Sequence, residues 1–181
     1  MKMSRLTIFL ALALLIPATA PRARAASNDE LRRDAAAALQ SLYAGNSAAA
    51  LLRKKAKAVL VFPHMLKAGF LFGGQVGDGV LFKGDRAVGS YNSVAASYGL
   101  QAGGQVFGYA MFFMTNDALA YLDSSGGWEI GVGPSVVVVD SGMAKSITST
   151  TLTNDVYAFI FNQKGLMGGI GIQGSKITKL N

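Results

Sequence analysis

The apolar positions of this 181-residue chain keep three different periods from one end to the other. An apolar run over residues 6–16, broken only by Thr7, comes first, with Lys2 and Arg5 ahead of it and Pro17 behind it. Ala23-Arg24-Ala25 then supplies a small-x-small site. That layout predicts a secretory signal peptide over 1–25, because a bilayer span needs about 20 apolar residues. A helical period follows, with Leu31, Ala35, Ala38, Leu39 and Leu42 on one face. Ser27 with Glu30 three residues on predicts a capping box, and Gly45 a stop. Asn46 or Ser47 is expected to cap a second, alanine-rich helix through Leu51, Leu52 and the basic run Arg53-Lys54-Lys55-Ala56-Lys57. The third texture is β: Val59-Leu60-Val61-Phe62 reads as a strand closed by Pro63.

From Lys67 the chain repeats itself. Gly69-Phe70-Leu71-Phe72-Gly73-Gly74-Gln75-Val76 is echoed by Gly99-Leu100-Gln101-Ala102-Gly103-Gly104-Gln105-Val106. Looser copies are Gly127-Trp128-Glu129-Ile130-Gly131 and Gly165-Leu166-Met167-Gly168-Gly169-Ile170. Offsets of 30, 28 and 38 residues are too irregular for a solenoid. Each copy reads as a strand whose glycines permit a bulge or tight bend. Ala110-Met111-Phe112-Phe113, Val136-Val137-Val138-Val139 and Val156-Tyr157-Ala158-Phe159-Ile160-Phe161 read as their partners. Turns are expected at Lys83-Gly84-Asp85, Ser124-Ser125-Gly126-Gly127 and Asn162-Gln163-Lys164-Gly165, and a short helix capped by Thr115 runs through Asp117 to Leu122. The sum is an α+β, mostly antiparallel domain over 26–181: a strongly curved sheet or closed barrel preceded by helices.

Composition narrows the function. The chain has 17 basic and 10 acidic residues, but four of the basic ones (Lys2, Arg5, Arg22, Arg24) lie in the leader. The remaining net charge of about +3 does not support a whole-molecule nucleic-acid field. No cysteine is present, so disulfides, thiolate metal sites and lipidation of an N-terminal cysteine are excluded.

Catalytic constellations are not legible. His64 is the only histidine and reads as a loop residue after a proline, and no serine sits in a nucleophile elbow. Asp78, Asp85, Asp117 and Asp123 read as turn and helix-surface residues. Gly169-Ile170-Gly171-Ile172-Gln173-Gly174 matches a dinucleotide fingerprint, but only 175–181 follow, and they suggest strand where a phosphate site needs a helix. No catalytic residue, metal ligand or cofactor is expected. The basic run, with Lys67 close behind and Lys83 and Arg86 in a hairpin turn, is instead the kind of cluster that anionic headgroups attract.

Three blocks carry a resemblance. Ala58-Val59-Leu60-Val61-Phe62-Pro63 with Lys67 to Gly74 and Gly77 to Leu81 is the first, Tyr98 to Gln105 the second, and Gly165 to Ser175 the third. In this order they resemble the SYLF domain family, also called the actin-binding domain of the yeast cortical-patch type, from about Leu31 to the end. The resemblance implies a non-enzymatic module. Eukaryotic relatives bind phosphoinositides and other anionic lipids through a basic, amphipathic N-terminal part, and some bind or bundle actin. The corresponding positions are the helix from Glu30 to Tyr43 and Arg53, Lys54, Lys55 and Lys57. Tyr91 stands where many relatives carry a tryptophan.

A leader places the chain in a periplasm or outside the cell, so the expected partner is a generic anionic phospholipid, with no nucleic acid. The expected site is Arg53, Lys54, Lys55, Lys57, Lys67, Lys83 and Arg86, with apolar residues of the first helix adding shallow burial. Alternatives are an envelope or adhesion protein that binds other proteins, host actin included, through a sheet edge. A carrier would enclose a hydrophobic ligand among Phe70, Phe72, Leu100 and Phe112. An integral outer-membrane barrel is disfavoured because the strands read as short and glycine-broken.

Overall fold

The computed structural model describes residues 28–124, 127–129, 133–139 and 152–180, without the side chains of 100, 101 and 168–174. The leader, Ser27 and Leu100 as a wall residue, together with 125–126 and 130–131, lie outside what is described.

Helix α1 (Asn28–Gly45) buries Leu31, Ala35, Leu39 and Leu42, the stripe its period predicts. Helix α2 (Ser47–Arg53) starts at Asn46, whose side chain accepts from the Ala49 amide at 3.0 Å. It ends earlier than expected. Lys54 is already its C-cap, so the rest of the basic run forms a turn into the sheet rather than a helix face.

Three strands dominate: β1 (Ala58–Lys83), β2 (Arg86–Phe113) and β5 (Val156–Leu180). They are 26, 28 and 25 residues long, not the short pieces the sequence suggests. A flat strand of that length would span about 85 Å, roughly twice the width of a domain this size. The strands must therefore bend, and they do so without breaking their pairing. β2 is antiparallel to β1 on one side and to β5 on the other. Pro63 does not end β1. It sits in a register shift between Phe62 and Met65, where a missing amide costs no ladder bond, and this leaves His64 in a strand. Likewise 162–165 is not a turn. Asn162 and Gly165 take positive φ inside β5 (52° and 97°), bending a strand that still follows β2. Asp78 also lies in a strand, accepting from the Asn92 side chain at 2.8 Å. The hairpin at 83–86 and the helix α3 (Asn116–Leu122), capped by Thr115, form as expected. Two short strands, β3 (Trp128–Glu129) and β4 (Val136–Val138), complete the sheet, and β4 joins β5 in parallel.

The result is a strongly curled, mostly antiparallel half-barrel with helices ahead of it. Three of the glycine-rich copies meet side by side at the bend: Gly69 lies opposite Gly103, and Gly103 opposite Met167. Beyond the bend β1 returns over itself. A Cβ on Gly79 would sit 2.6 Å from the Phe62 ring and 2.8 Å from the Val61 carbonyl, so only glycine permits this crossing.

The base of the sheet is buried on both faces, which explains the unbroken apolar run at 58–62. Val59, Val61, Val80, Phe82 and Phe112 meet α1 and α2 on one face. Leu60, Phe62, Met65, Tyr91 and Met111 pack inside the curl with α3 and Trp128. Each fully buried large side chain contributes about 1.5–3 kcal/mol.

Candidate functional site

The curl returns the 83–86 hairpin to the helices. Arg53 at the end of α2 donates to the Asp85 carboxylate at 2.8 Å, and its guanidinium lies 4.9 Å from the centre of the Tyr43 ring. Burial pushes the Tyr43 hydroxyl above its ordinary range, and Asp85 adds to this against the pull of Arg53. This one contact joins two basic segments far apart in the chain. Lys54, Lys55 and Lys57 leave α2 and enter β1, and the amide of Lys57 donates to the Phe113 carbonyl at 2.7 Å. Lys83 and Arg86 flank the tip of the hairpin, and all five of these side chains are exposed. Six of the seven expected residues thus share one end of the molecule.

Lys67 does not join them. It lies near the bend, lining a cleft of about 280 Å³ between the two limbs of the sheet with Gln75, Ser93, Gln105, Tyr109 and Gln163. Phe107, Val138 and Ile160 add apolar walls to the same cleft, and burial pushes the Tyr109 hydroxyl up to about 12. A hydrophobic carrier site is not formed by the expected residues. Phe70 and Phe72 are exposed, and Phe112 is buried in the core, with ring centres 6.2 Å from Tyr43 and 5.3 Å from Phe159.

The first helix cannot add shallow burial either. Its apolar stripe is already spent against β1 and β2. What the local sequence did not reveal is Asp85 as a member of the basic face, since 32 residues separate it from Arg53. His64 is exposed, 3.6 Å from the Asp34 carboxylate on α1.

Residues 94–181 match the family model Ysc84, described as a Las17-binding protein actin regulator. No curated protein matches the chain. The match includes the second and third signature blocks and is shorter than the resemblance from Leu31 onward. The first block lies outside it, on β1, which pairs with the matched β2 from end to end. Residues 94–181 of this chain are thus similar to the Ysc84 (SYLF) domain family.

Proposed function

We propose that the chain is a non-enzymatic module, exported after removal of 1–25, whose single domain over 26–181 associates peripherally with anionic phospholipid membranes in a periplasm or outside the cell. The observation that carries this is the gathering of Lys54, Lys55, Lys57, Lys83 and Arg86 at one end, with Arg53 held to Asp85 at their centre. Each basic residue near an anionic surface adds about 1 kcal/mol, so the set attracts a charged membrane and is indifferent to a neutral one. Lys67 contributes from the other end of the sheet. The similarity of residues 94–181 to a family described by binding, not by a reaction, supports the non-enzymatic part of this reading.

The test is co-sedimentation of the exported protein with neutral liposomes and with liposomes containing phosphatidylglycerol. The reading expects pelleting only with the anionic lipid, weakened when Arg53, Lys54, Lys55 and Lys57 become alanine. Absence of pelleting with both lipids would overturn it. The family description as an actin regulator favours a second reading, and pelleting with filamentous actin in the absence of lipid would support that instead.

A further inference from the structure

At the bend, 99–101 of β2 lie against the single residue Leu71 of β1, so β1 takes the inside of the corner. It turns so tightly that a Cβ on Gly69 would meet the backbone of Gly73. Leu71, at the apex, takes φ 60°, a costly angle for a residue with a branched side chain. The consequence is a protruding Phe70-Leu71-Phe72 apex with Phe70 75% and Phe72 72% exposed. Three consecutive exposed apolar residues are a fault in a soluble surface unless they have a use.

The apex belongs to a larger patch. Tyr98 lies opposite Phe72 with ring centres 4.9 Å apart, and Leu166 on β5 is 88% exposed. Strand alternation carries the same face onward through the exposed pairs Leu66 with Val106 and Val76 with Val94. At the base of the sheet this face is the one that α1 and α2 cover, and the helices stop short of the bend.

Charge says what covers the rest. Asp78 is the only acidic residue in β1, β2 and β5. Lys164 lies directly opposite Val106, and Lys176 opposite Val94, so exposed lysines bound the patch at both ends. Aromatic rings at a convex apex with lysines behind them fit the boundary between acyl chains and anionic headgroups.

We propose that the Phe70-Leu71-Phe72 apex, with Tyr98 and Leu166, inserts shallowly into an anionic phospholipid bilayer while Lys164 and Lys176 contact its headgroups. This rests on the membrane reading above but moves the inserted surface to the end of the sheet away from the basic run, about ten residues of strand distant (roughly 33 Å of chain).

Two variants test it. Phe70→Ser, Phe72→Ser and Leu166→Ser together should weaken binding to phosphatidylglycerol vesicles more than about a hundredfold, at about tenfold per buried apolar side chain. Their exposure means that the fold survives, which unchanged emission from the buried Trp128 verifies. Phe72→Trp alone should be quenched by phosphatidylglycerol brominated along its acyl chains, while Trp128 in the parent protein is not. Anionic-vesicle binding that survives the triple variant, with no quenching of the new tryptophan, overturns the insertion and leaves the basic-run reading standing. No binding by the parent protein overturns both. A triple variant that keeps vesicle binding but turns a dimer into a monomer overturns the insertion and assigns the apex to a second copy of the chain.

Discussion

The hydroxyl of Tyr91 donates to the carboxylate of Asp123 at 2.7 Å, tying the second limb of the sheet to the end of α3. Tyr91 is fully buried, and the Lys179 ammonium donates to the same carboxylate oxygen at 2.9 Å. The phenol is thus spent on a structural hydrogen bond. Desolvation, the Asp123 hydrogen bond and the Asp123 charge all push the Tyr91 hydroxyl well above its ordinary value, so it is a donor at any physiological pH. Tyr91→Phe keeps the ring and removes the donor. Its expected cost is about 1 kcal/mol, read as a lower urea midpoint with an unchanged slope.

Acid should loosen the same corner. Desolvation raises the Asp123 carboxyl, but the hydrogen bonds from Tyr91 and Lys179 and the charges of Lys179 and Lys83 outweigh it and hold it below its ordinary value. A carboxylate depressed in the folded state adds stability that is present above its unfolded value, about 3.9. That stability is lost as pH falls through the folded value. The parent protein should therefore hold a constant stability advantage over Asp123→Asn near neutral pH and lose it below about pH 4, where its profile falls more steeply and the two converge.

The return of β1 over itself predicts a sharp contrast between glycines. Gly79→Ala places a methyl against the Phe62 ring and the Val61 carbonyl, and should destabilise by about 1–3 kcal/mol. Gly45→Ala, with nothing within 4 Å of the new carbon, should stay within about 0.5 kcal/mol of the parent. Paired thermal melts check both.

Breaking the Arg53–Asp85 pair separates stability from binding. Its partners are 42% and 87% exposed, so the pair adds at most about 1 kcal/mol to stability. Asp85→Asn removes the one negative charge in the hairpin while leaving Arg53 on Tyr43. It should change the melting temperature little and strengthen pelleting with phosphatidylglycerol vesicles. If the basic face acts as proposed, raising the salt from low to half-molar should erase that gain.

Much of this was legible along the chain. The helices declare themselves through contacts three and four residues apart: the Leu31 to Leu42 stripe, and the caps at Asn46 and Thr115. The glycine copies marked the bend, and the basic run was plain. Illegible were the continuations. Pro63 and 162–165 carry every local signal of an ending, yet both are strand because β2 runs beside them and supplies their ladder. The partnership of Arg53 with Asp85 was equally hidden, as was the spending of the α1 stripe on the core.

Sequence alone therefore determined the class of the molecule: three helices, a glycine-bent β sheet and a basic segment at the entry to its first long strand. Tertiary structure decided which apolar residues are buried and which are not. Phe62 and Phe72 have the same chemistry and lie ten positions apart on one strand. Phe62 is buried because the returning limb of β1, with only glycine at 79, closes over it. Phe72 is exposed because the corner carries it past the last turn of any helix. Burial depends on what the far ends of the chain bring to a residue, and no local pattern records that.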